Sequence, residues 1–124
     1  MDDQLAERIR LFRESGRVRP EVADFVTAEL ARLAAEGRTV TEATAGMLTS
    51  HLMMALTRLL DGGPIVELPA DERIAAELSD HPGAVARAAA VAARAERLLG
   101  AALPRSEIVF LGLHLAVLAR HPAR

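Results

Sequence analysis

Apolar residues recur at three- and four-residue spacing along nearly the whole chain. No stretch sustains the two-residue alternation, rich in β-branched and aromatic side chains, that marks a half-buried strand. The pattern predicts an all-α protein of five helices in one domain spanning residues 1–124, with no internal repeat and no low-complexity linker. Leu5, Ile9 and Phe12 share one side of a first helix over about residues 2–15, closed by Gly16. Pro20 suits the first turn of a second, in which Val22, Phe25, Val26, Leu30 and Leu33 form the apolar side before Gly37. Thr39 and Glu42 have capping-box spacing and are expected to open a third, running to about residue 61 before Gly62-Gly63-Pro64. Residues 64–69 read as a connector, followed by a short helical turn over residues 70–78. Asp80-His81-Pro82-Gly83 introduces an Ala-rich fourth helix that ends at Gly100. Pro104 and Ser106 open a fifth, over about residues 107–120.

At about 100° per residue, Leu48, Leu52, Ala55, Leu56 and Leu59 make the buried stripe of the third helix. His51 lies at its edge between Met47 and Met54, and Arg58 stands two turns further along the same face. The fifth helix is apolar around most of its circumference. Ile108, Leu111, Leu115 and Leu118 occupy one side, and Phe110, Leu113 and Val117 the other; His114 sits between them, in line with Glu107 two turns earlier. A helix of this kind is expected at the centre of the bundle, with His114 shielded and Glu107 beside it.

Composition narrows the chemistry. The 124 residues include no cysteine and no lysine, which excludes disulfides, zinc-thiolate sites, thiol catalysis, Schiff bases and the P-loop lysine. A net charge of −2 offers no general attraction to nucleic acid or to anionic lipid. The Arg-rich run over residues 8–19 is interleaved with Glu7, Glu14 and Glu21 and reads as a solvated helix face. The N-terminus is charged and no apolar run is long enough to span a bilayer, so a cytoplasmic protein is expected. With 51% hydrophobic residues but only three Phe and neither Tyr nor Trp, the core must be built from aliphatic side chains and Ala, and spare apolar surface favours a homodimer. His81 reads as a turn residue, and His121 as a cation favourable to the end of the last helix. No His-x-x-x-His pair supplies two metal ligands from one helix face, so neither metal nor cofactor is expected. A helix-turn-helix over residues 38–60 would carry only Arg58 on its recognition helix, which argues against DNA binding. No nucleophile, base and oxyanion-donor set can be assembled for an enzyme.

Two segments carry a family resemblance. Residues 47–62, MLTSHLMMALTRLLDG, resemble the first signature of the phosphotransferase-system regulation domain, in which a helical histidine is followed seven residues later by an arginine. Residues 103–118, LPRSEIVFLGLHLAVL, resemble the second, a Pro, then a Glu, then an aliphatic run ending in Leu-His. Their order and separation also fit, and the five-helix reading extends the resemblance over the whole chain. The resemblance implies a regulation-domain bundle that pairs as a homodimer. It implies phosphoryl acceptors at His51 and His114, with Arg58 and Glu107 as the accompanying charged positions, and a histidine phosphocarrier or sugar-specific phosphotransferase component as donor. Without an attached RNA- or DNA-binding module the chain resembles small stand-alone members, for which output through a protein partner is expected. The alternative reading is a helical dimerisation or adaptor protein whose histidines are structural.

Overall fold

Asp2 starts the first helix, α1 (Asp3–Glu14), by accepting the backbone N–H of Leu5 at 2.9 Å. In the computed structural model, which describes residues 2–63 and 76–120, the further helices are α2 (Pro20–Ala35), α3 (Glu42–Leu60), α4 (Pro82–Leu99) and α5 (Arg105–Leu118). No strand occurs among the described residues, so the all-α class expected from the periodicity is present. Residues 76–78 are helical; the rest of the anticipated connector and short turn, and His121, lie outside the described residues. No helix among the described residues is long and apolar enough to cross a membrane.

Local chemistry explains the boundaries, with one correction. α3 is capped by Thr41, not Thr39. Thr41 Oγ1 accepts from the Thr44 N–H and Thr44 Oγ1 accepts from the Thr41 N–H at 2.9 Å, so a second threonine fills the place assigned to a glutamate. Thr39 contributes its carbonyl, which accepts from the Thr44 hydroxyl at 2.6 Å. Asp2 also accepts the Glu42 N–H at 3.1 Å, so one carboxylate serves the N-termini of both α1 and α3. α4 ends in a left-handed Gly100 (φ 72°), a conformation that leaves no Cβ to clash, and the Gly100 and Ala101 N–H groups turn back to the Glu96 and Ala95 carbonyls. α5 begins two residues earlier than expected, directly after Pro104.

Side chains from all five helices form one buried cluster. Leu5, Met53, Leu56 and Leu118 are fully enclosed, and each large aliphatic side chain so buried stabilises the fold by roughly 1.5–3 kcal/mol. α4 contributes Ala84, Ala88, Ala92 and Ala95 along its inner side, small residues that let α5 lie close. The bare backbone of Gly112 has the same effect from the α5 side: a Cβ there would sit 3.4 Å from Leu78 Cδ1 and 3.8 Å from Ala88 Cβ. α5 thus packs against α4 on one side and α3 on the other, which is what places its polar residues beside α3. It is less enclosed than its apolar circumference suggests, for Val117 is exposed and His114 half-buried.

The Arg-rich first helix behaves partly as expected. Arg10 pairs with Glu7 and Glu14 in solvent. Arg8 instead crosses to α3, where it binds Glu42 and donates to Ser50 Oγ at 2.8 Å. Its guanidinium holds the Glu42 carboxyl below the usual range. On the far side, Glu29 of α2 is buried in the apolar row and both of its oxygens are bound by Arg94 of α4, at 2.6 and 2.7 Å.

Candidate functional site: two histidines on one phenylalanine

The stripe of α3 that borders the core carries Ser50, His51, Met54 and Arg58 past the first two turns of α5. His51 Nε2 meets Glu107 Oε2 at 2.5 Å, a contact between residues 56 positions apart in sequence. The His51 ring also packs on Phe110, with centroids 4.2 Å apart and planes tilted by 33°. Phe110 in turn contacts His114, one turn along α5, at 4.6 Å and 55°. The two histidines singled out from the sequence therefore share one aromatic neighbour.

Arg58 joins them less directly: together with Ser50, His51, Met54, Ala55 and Glu107 it lines a cleft of about 310 Å³. A larger open recess of about 990 Å³ lies along α1, lined by Leu11, Phe12, Arg8 and Glu42 among others, but holds no histidine. The two are adjacent through Arg8, whose partner Ser50 belongs to the histidine cleft.

Glu107 is the residue whose partner differs from the one its spacing suggested. Alignment along α5 placed it with His114, but its carboxylate crosses to His51, because neighbouring helices approach more closely than positions two turns apart on one helix. Phe110, read only as an apolar residue, is the shared contact. Arg58 lies on the expected face, exposed at the mouth of the cleft. His81 precedes α4 as its N-terminal flanking residue and lies apart from this cleft. Among the described residues no group of three or more His, Asp or Glu side chains is arranged to hold a metal ion.

Burial, and secondarily the charge on His51, hold the imidazole of His114 below its ordinary value of 6.5. His114 is therefore mostly neutral at pH 7, and the ring nitrogen that carries no proton keeps its nucleophilic lone pair. Because the unfolded chain takes up this proton first, the group lowers stability as pH falls below about 6.5, with the penalty complete beneath the folded-state midpoint. His51→Ala is expected to raise the His114 midpoint, read by NMR titration of the ring protons; an unchanged midpoint would show that the two rings are electrostatically independent. Comparison with family models, with curated proteins and with solved structures returned no match for this chain.

Proposed function

We propose that this chain is a phosphotransferase-system regulation domain, a cytoplasmic signalling protein that accepts phosphoryl groups on His51 and His114. The observation that supports it best is the convergence of the two signature histidines on Phe110, from helices distant in sequence, with Glu107 and Arg58 at the same cleft. An unprotonated imidazole attacks a phosphoryl group without an activating base, whereas a serine or threonine hydroxyl requires one. The product brings about −1.5 to −2 charges onto a boundary between apolar helices. Arg58, at the mouth of the same cleft, is the side chain that can hold the new oxygens through charge-assisted hydrogen bonds, while Glu107 orients the His51 ring through Nε2. Negative charge set against apolar helices is costly unless it is paired, and that cost favours a rearranged packing of α3 and α5.

The outlet for such a change is apolar surface around the site. Met47 and Met54 are exposed on the His51 stripe and Val117 on that of His114, a surface suited to a second copy of the chain or to an output partner. The adaptor reading draws on the same contacts, since a ring hydrogen-bonded on one nitrogen and packed on an aromatic is also a satisfied structural histidine.

Intact-mass measurement after incubation with phosphoenolpyruvate, the general phosphotransferase enzyme and the histidine phosphocarrier separates the two. The regulation domain is expected to gain one or two acid-labile phosphoryl groups, lost one by one in His51→Ala and His114→Ala. No gain from the phosphocarrier or from sugar-specific components would leave the adaptor reading.

A further inference from the structure

We propose that Glu107 is a positioning residue that makes Nδ1 the phosphoryl-accepting nitrogen of His51. This rests on the acceptor role proposed above and adds which bond forms. An ionised carboxylate only accepts hydrogen bonds, so the 2.5 Å contact places the ring proton on Nε2. The Nε2 lone pair is thereby consumed, and the approach to that nitrogen is filled by Glu107 Oε2. An incoming phosphoryl group there would set its oxygens against a carboxylate whose side chain is only 15% exposed. The same proton placement leaves the lone pair on Nδ1, which has no hydrogen-bond partner among the described residues. The His51 side chain as a whole is 40% exposed, so the ring is open to a donor although its Nε2 edge is covered. A charge-assisted bond of this type biases the proton between the two nitrogens by about tenfold or more.

The transfer balances without a proton leaving the site. The Nδ1 lone pair attacks phosphorus, the nitrogen–phosphorus bond breaks in a donor phosphohistidine that carries a proton on its other ring nitrogen, and the donor imidazole leaves with that proton as the neutral ring. His51 becomes an Nδ1-phosphoimidazolium that keeps its Nε2 proton. Glu107 then faces the positive charge developed in the ring, as a carboxylate supports the imidazolium in Ser-His-Asp triads.

The test reads tautomer and isomer separately. In protein labelled with ¹⁵N-histidine, with His51 assigned by its loss in His51→Ala, long-range proton–nitrogen correlation should show a protonated Nε2 and a bare Nδ1. The bias should fall about tenfold in Glu107→Ala, with Glu107→Gln as the variant that preserves side-chain volume. Brief treatment with potassium phosphoramidate should then give the Nδ1-phosphohistidine isomer at position 51 in the wild type, and a mixture in Glu107→Ala. A His51 protonated on Nδ1, an Nε2 adduct in the wild type, or an isomer ratio indifferent to residue 107 would overturn the proposal. Phosphoramidate labelling at Nδ1 combined with refusal of every phosphotransferase donor would overturn the regulatory reading and leave the tautomer assignment standing. If phosphoramidate labels neither protein, the tautomer spectra alone decide.

Discussion

Replacing Arg94 by alanine is expected to lower the stability of the bundle by about 3–5 kcal/mol, the usual cost of breaking a buried ion pair from one side. Glu29 is 5% exposed and both of its oxygens rest on the one guanidinium. Without Arg94 the carboxylate is left inside the interface of α2 and α4, where it must ionise without a partner or bind a proton. For a domain of this size the loss corresponds to a fall of roughly 10–20 °C in Tm. Glu29→Ala is expected to be milder, because Arg94 has a 23% exposed side chain and a flexible stem that can carry its charge to water. Replacing both by leucine is expected to recover most of the loss, since a well-packed apolar pair avoids the desolvation cost altogether. Urea unfolding followed by circular dichroism gives all three values. An Arg94→Ala loss of about 1 kcal/mol or less would mean that the pair is effectively solvated.

His51→Asp is expected to destabilise the protein by about 2 kcal/mol at pH 7, and to do so in a pH-dependent way. The substitution removes the bond to Glu107 and sets a second carboxylate beside it, while withdrawing a ring from Phe110. Repulsion raises the folded-state pKa of the carboxylate pair above the unfolded value. The folded protein therefore binds a proton more readily, and the deficit relative to wild type should narrow as pH is lowered toward about 4.5. Adding Glu107→Gln should relieve the repulsion at pH 7. Thermal unfolding of the wild type and both variants between pH 4.5 and 8 checks this, and a deficit constant across that range would place its origin in lost packing.

The helices were legible because their punctuation is local. Gly16, Gly37, Gly62 and Gly100 all adopt positive φ at the stops where glycine was expected, and Pro20 and Pro82 stand in first turns. Buried faces followed from spacing for the same reason, as Leu48, Leu52 and Leu56 show. What spacing does not carry is the partner across an interface. His51 and His114 were found as residues, but their meeting on Phe110 and the Glu107 bond depend on how α5 lies along α3. Glu29 had a visible signal that went unused: it stands four residues from both Phe25 and Leu33, within the apolar row of α2, where a charge requires a counter-ion. Arg94, in the Ala-rich α4, supplies it. Thr41 displaced Thr39 as the cap because several hydroxyls within a few residues compete for the same N–H groups, and the choice rests on backbone geometry.

Phe110 gives the site a built-in magnetic reporter. The chain has no tryptophan or tyrosine, and its three phenylalanines make a sparse aromatic spectrum. One of them lies within ring-current range of both imidazoles. Any shift in the position of either histidine moves the resonances of Phe110, and a tilt of Phe110 moves those of the other histidine. Selective labelling of that single ring would follow events at both helices at once, in the unmodified protein and without an attached dye.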